Sequence, residues 1–250
     1  MSFMVIPFSE VFVGREVNIG LLMIFAFASV NVLGLLIGSW GSANKYAVIA
    51  GARCVSQNVA YEIPMLITTI TMVMVTNSMN LNEIVRLQDG WFWHWHIFRL
   101  DMSLMMPVAF LIFFICSLAE TNRAPFDMAE AESELIAGAY TEYPGMGFGV
   151  FFMGEYANIV IGCSLTTILF LGGWQAPIPL DFSGFPGVLW GLFWFLLKLY
   201  ALIFTVIWIR WTYPRTQFYE LLNLSWKVLI PFSLFNLILT ALQIKILPWL

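Results

Sequence analysis

Long apolar stretches separated by short polar ones set the pattern of this chain. Six of them reach or approach the roughly 20 residues that a helix needs to cross a bilayer. They lie at about 18–40, 48–79, 102–118, 146–171, 188–211 and 225–247. The second is longer than a span requires, which predicts a tilted helix or one that extends beyond the membrane. The pattern predicts an all-α integral membrane protein, with about six transmembrane helices bundled in a single membrane domain over 1–250. The connections differ in character: 41–45 is short, 80–101 is aromatic, 121–145 is acidic, 172–186 has no Lys or Arg, and 210–227 is the most basic. No inverted repeat of the transporter kind is visible. The start, Met1–Phe8, lacks the basic region of a signal peptide and reads like the tail of a membrane helix.

Composition agrees with a membrane bundle. Hydrophobic residues make up 60% and charged residues 10% of the chain, against roughly 25% charged in soluble domains. No long polar stretch is left over for a separate soluble domain. There is no basic patch, which argues against nucleic acid as a partner. Lys and Arg in short loops mark the cytoplasmic side. Lys45, Arg53, Arg123, Arg210, Arg215 and Lys227 fall on one side; Arg15, Arg86, Arg99 and Lys245 fall on the other. The bias puts the acidic loop on the cytoplasmic or matrix side and both termini opposite.

The acidic loop carries the strongest chemical signal. Glu120, Asp127, Glu130, Glu132, Glu134, Glu142 and Glu155 are seven of the fifteen acidic residues, with Arg123 the one base among them. A carboxylate at the bilayer centre costs roughly 2–4 kcal/mol even on lenient scales, so such groups usually face a cavity and mark an ion or proton path. Thr121 or Asn122 is expected to cap a helix, with Pro125 in its first turn and Asp127 and Glu130 near its positive end. In that helix Glu130 and Glu134 share a face and repel, while Glu132 points away. A series of poised carboxylates of this kind relays protons or senses a nearby charge; the plainer alternative is a solvated acidic loop.

A second polar set lies within an apolar window. Arg53, Gln57 and Tyr61 recur at i, i+4 and i+8, with Asn58 and Glu62 beside them. A few polar groups in an apolar wall suit a hydrophobic ligand with a polar head, such as a quinone; a structural Arg–Glu pair at a helix end is the plain alternative. His94 and His96 lie among three tryptophans and fit an interfacial aromatic belt better than a metal site. Gly145-Met-Gly-Phe-Gly149 opens a membrane helix, where small residues allow close packing. Cys54, Cys116 and Cys163 are scattered, as packing residues are, and no metal site is expected. Lys198, inside the fifth window, is a buried cation, a snorkelling one or half of a pair.

These residues resemble a known family. Glu120-Thr-Asn-Arg-Ala-Pro-Phe-Asp127, Glu130-Ala-Glu-Ser-Glu-Leu135, Thr141-Glu-Tyr143 and Glu155-Tyr-Ala-Asn158 are similar to the membrane subunit 1, or H, of respiratory complex I, NADH–quinone oxidoreductase. So are Lys45-Tyr46, Tyr61-Glu62, Leu171-Gly-Gly-Trp174, Arg210-Trp-Thr212, Pro214-Arg215 and Trp226-Lys-Val-Leu229. The resemblance runs from about Ile6 to the C-terminus. The family usually has Leu-Pro at Met128-Ala129, Tyr at Ala139 and Ser at Pro144, changes that spare the carboxylates. It normally has eight membrane helices, so the first helix, an amphipathic segment and most of the second are expected to be shortened away or supplied by a separate chain.

The resemblance implies a subunit that closes the chamber where ubiquinone or menaquinone is reduced and couples that chamber to proton translocation. It implies a proton path through Glu120, Asp127, Glu130, Glu132, Glu134, Glu142 and Glu155. Arg53, Gln57, Tyr61, Glu62, Arg123 and Phe126 then belong to the quinone chamber. No redox centre is expected in this chain; NADH, FMN and iron–sulfur clusters belong to partner subunits. Those partners are the quinone-module subunits of the peripheral arm and small membrane subunits leading to antiporter-like ones, together with quinone and lipid. The membrane implied is the bacterial plasma membrane or the mitochondrial inner membrane. An anchor subunit of a related membrane-bound hydrogenase or photosynthetic complex, and a free-standing proton-coupled transporter, are the alternatives.

Overall fold

A computed structural model of the chain describes residues 2–99, 105–128, 138–140, 143, 145–178 and 185–246. Every regular element among them is helical. Six long helices organise it: α1 (Gly20–Gly41), α2 (Lys45–Thr76), α3 (Met106–Glu120), α4 (Met146–Phe170), α5 (Phe185–Thr212) and α6 (Phe218–Ile246). Five are long and apolar enough to cross a membrane, and α3 is a shorter apolar helix.

The helix ends follow local chemistry. Asn44 is extended, and its Oδ1 accepts the Tyr46 N–H at 3.1 Å, capping α2. Asn77 at φ 53° ends α2 in the left-handed conformation, its N–H bonded to the Val73 carbonyl. Pro107 sits in the first turn of α3, where a missing N–H does no harm. Gly145, at φ 51°, precedes α4.

Helix α2 is the centre of the bundle. Half of its most apolar window is buried, against 22–33% in the other four spanning helices. It packs on α1, α3 and α6; α3 then joins it to α4, and α4 to α5. Small residues permit the closest approaches: a Cβ at Gly51 would lie 1.9 Å from Ser39 Oγ, and one at Gly162 would lie 2.1 Å from Ser117 Oγ. Large side chains such as Tyr200, Phe204, Trp208 and Trp211 on α5 face outward, as a lipid-facing helix requires.

Two prolines shape the α2–α6 contact. Pro64 lies inside α2 and has no N–H for the Ala60 carbonyl. Ser225 on α6 supplies the missing donor, its Oγ bonded to Ala60 O at 2.6 Å. Ser225 opens a π-helical turn, Ser225–Leu229, with Ile230 between it and Pro231. Pro231 cannot donate to the Lys227 carbonyl, and a widened turn is the usual accommodation of a break in the ladder.

The helices alternate direction from α1 to α5, and α6 runs parallel to α2. One end of the bundle therefore gathers the end of α1, the start of α2, the ends of α3 and α5, and the starts of α4 and α6. The candidate site lies there. The other end holds the 77–99 connection and the 171–178 turn. Of the aromatic run, Trp91 and Trp93 are exposed as a belt requires, but Trp95 turns inward and His96 is buried at 1% exposure. Burial, followed by the Arg99 charge, lowers the pKa of His96 from 6.5 to about 4.

The expected helix start at Thr121 is not formed. Thr121 instead closes α3, its Oγ1 bonded to Leu118 O at 2.7 Å. Asn122 takes a left-handed φ of 51° and the Ala124–Pro125 peptide is cis. Local side-chain bonding of Thr and Asn competes with helix formation, and here it wins. Glu130, Glu132, Glu134 and Glu142 lie outside the described residues.

Candidate functional site

The turn after α3 carries Arg123 into the protein interior. Its Nη2 lies 2.9 Å from Oε2 of Glu155 on α4, both side chains being only 5% and 7% exposed. Tyr140 donates its hydroxyl to the other carboxylate oxygen, Oε1, at 2.7 Å. The guanidinium carbon stands 4.7 Å from the ring centre of Phe152 and 4.8 Å from that of Tyr156. These two rings are four residues apart on α4, so one helix face presents them on either side of Glu155. Desolvating two ions costs several kcal/mol each, and only close pairing with further hydrogen bonds offsets it. Here the ion pair, the tyrosine and the two ring faces supply that compensation. The proposed roles of Arg123 (chamber) and Glu155 (proton path) thus meet in one buried ion pair.

Glu120 ends α3 only three residues before Arg123. It lines a small cleft with Phe25 and Ala28 of α1, Ser117 of α3, and Asn158 and Gly162 of α4. Glu62 of α2 is near enough for its charge to act on Glu120. The Glu62 carboxylate accepts the Ser29 hydroxyl at 2.5 Å.

The remaining predicted residues hold the turn in place. Gln57 is wholly buried and its Nε2 donates to the carbonyls of Ala119 (2.9 Å) and Phe126 (2.8 Å), clamping both ends of the turn to α2. Tyr61 packs its ring 5.8 Å from that of Phe126 and donates its hydroxyl to the Leu221 carbonyl at 3.0 Å. Thr216, beyond the end of α5, donates through N–H and hydroxyl to Pro125 O at 3.2 and 2.9 Å. Asp127 is half-buried, and Arg53 lies 5.8 Å from the Phe218 ring centre. Glu62 and Arg53 are nine residues apart, about 13 Å along a helix, and they have separate surroundings.

Several contributors have no mark in the sequence motifs. Tyr140, Phe152 and Ser29 complete the carboxylate environments, and Cys54 donates its thiol to Asn122 Oδ1 at 3.2 Å. The i, i+4 spacing of Phe152 and Tyr156 about Glu155 was a usable signal. Nothing in the sequence pairs Ser29 with Glu62 or Cys54 with Asn122. Among the described residues no group of three or more His, Cys, Asp or Glu is arranged to hold a metal ion.

A multi-helix membrane protein with a buried arginine–glutamate pair beside a carboxylate-lined cleft is the class that fold and site define. A family described as NADH dehydrogenase matches residues 1–241. The H subunit of the NADH-quinone oxidoreductase of Desulfotalea psychrophila is 62% identical over 98% of this chain and 72% of its own length. The protein of the same name from Chlorobaculum tepidum is 42% identical over 98% of this chain and 69% of its own. That from Dehalococcoides mccartyi is 40% identical over 99% and 65%. The chain belongs to the NADH dehydrogenase family, as its motifs led us to expect.

Proposed function

We propose that this chain works as the membrane subunit of NADH-quinone oxidoreductase that walls the quinone-reduction chamber and passes the charge change of that reaction to proton translocation. Family membership supports the enzyme context. The junction at 120–126 carries the coupling. Arg123 is ion-paired to Glu155, while Glu120, three residues earlier, opens into the cleft near Glu62. A charge appearing beside this turn acts on both carboxylate environments at once, because little solvent screens them.

In this reading Arg53, Gln57, Tyr61, Glu62, Arg123 and Phe126 shape the chamber wall. Glu120, Asp127 and Glu155 begin the proton path, and Glu130, Glu132, Glu134 and Glu142 continue it. The wall is clamped by Gln57 and Tyr61 rather than left mobile, which favours a fixed geometry for the incoming headgroup. The partners are the quinone-module subunits on one side and the small membrane subunits toward the antiporter-like pumps on the other. Those of the peripheral arm hold the nicotinamide, flavin and iron–sulfur chemistry.

The test replaces Glu120 or Glu155 by Gln in the assembled enzyme in proteoliposomes. Quinone reduction and proton translocation are recorded together. The expected result is fewer protons moved per quinone reduced. Unchanged rates of both in both variants would remove these carboxylates from the coupling path.

A further inference from the structure

Lys198 lies midway along α5, reaches the turn that follows α4, and is 7% exposed. Its Nζ donates to three backbone carbonyls: Leu171 at 2.7 Å, Gly173 at 3.1 Å and Gln175 at 2.7 Å. An ammonium has three N–H donors, so each has an acceptor. The indole of Trp95 closes the remaining side, its ring centre 4.0 Å from Nζ. Among the described residues no carboxylate pairs with this cation.

The cage is made by the backbone. Leu171 follows the last residue of α4, where terminal carbonyls carry the partial negative charge of the helix. Gly172 and Gly173, at φ 75° and 51°, turn the next carbonyls inward. A Cβ at Gly172 would come within 2.7 Å of the Trp95 indole. A ring of neutral backbone oxygens that replaces the hydration of a small cation is also how channels hold monovalent ions.

We propose that the Leu171–Gln175 turn and Trp95 form a monovalent-cation site selective for a small primary ammonium, which the chain occupies with its own Lys198. The tethered charge fixes the end of α4, the helix that carries Glu155 in its first half. An ion pair there would introduce another acid; a carbonyl cage holds the charge without one.

Hydrogen exchange of the full chain in lipid nanodiscs tests this. The amides read are those of Leu171, Gly173 and Gln175, whose bonds close the turn. Lys198→Ala is expected to raise their exchange by about tenfold or more. Ammonium or methylammonium chloride then restores protection with a saturable dose response. Sodium and tetramethylammonium chloride at equal ionic strength do not, and the parent chain does not respond. Lys198→Met keeps the stem without the charge and is expected to exchange fast, unrescued. It carries the test by itself if Lys198→Ala fails to accumulate. Protection of Lys198→Met equal to the parent, or no ammonium-specific restoration in Lys198→Ala, overturns the proposal.

Discussion

Replacing Arg123 by Met takes the guanidinium away from a Glu155 carboxylate that stays buried. Removing one member of a buried ion pair costs about 3–5 kcal/mol, because the other charge has lost its compensation. Both side chains are under a tenth exposed, so water does not relieve the loss. Glu155→Leu takes the carboxylate away from the buried guanidinium, with a similar cost of about 3–5 kcal/mol. If the two losses were independent, the double variant would be destabilised by about 6–10 kcal/mol. Because each loss is a stranded charge, the double variant Arg123→Met/Glu155→Leu is expected to recover to within about 2 kcal/mol of the parent, as apolar replacements of buried pairs do. Thermal unfolding in nanodiscs reads the difference. For a chain of this size 1 kcal/mol corresponds to roughly 2–4 °C, so each single variant should melt on the order of 10 °C lower and the double variant close to the parent. Melting temperatures that fall additively would refute the idea that charge compensation holds Arg123 in place. The double variant is nonetheless expected to translocate few protons, since the fold is restored and the carboxylate is not.

Two further outcomes follow from the geometry. Ser225→Ala removes the donor that satisfies the Ala60 carbonyl left over by Pro64, at about 1–3 kcal/mol; in a Pro64→Ala background, where the helix supplies its own N–H, it should be nearly silent by chemical denaturation. His96 sets a pH dependence. Its folded pKa of about 4 lies below the ordinary 6.5, so the unfolded chain binds the extra proton first. Stability is therefore full above pH 6.5 and falls as the pH drops toward 4, by roughly 3 kcal/mol in all. A His96→Phe variant should lack that slope in unfolding experiments between pH 4 and 7.

Much of the architecture was legible because lipid leaves a chain few options. A bilayer core offers backbone N–H and C=O groups no water, so long apolar windows are expected to be helical, and every regular element among the described residues is. The same cost of acids near lipid singled out 120–155 in the sequence, and of its carboxylates Glu155 is held in a buried ion pair and Glu120 lines the cleft. The turn at 121–128 departs from its local signals. Thr121, Asn122 and Pro125 are helix-start residues by type, yet Thr121 bonds backward to Leu118 and closes the preceding helix. A side chain that can bond either way is decided by what surrounds it.

Read alone, the chain already declares a helical membrane protein of the NADH dehydrogenase family with seven of its fifteen acids between 120 and 155, since periodicity, hydropathy and motif are local properties. Which groups share a charge depends on how the helices pack. That packing brought Arg123 to Glu155, Glu62 to Ser29 and Lys198 to three carbonyls, partners that lie between 23 and 33 residues apart. Electrostatic energy in a medium of low dielectric depends on distances of a few ångströms, and such distances between separate helices are fixed by packing, not by spacing along the chain.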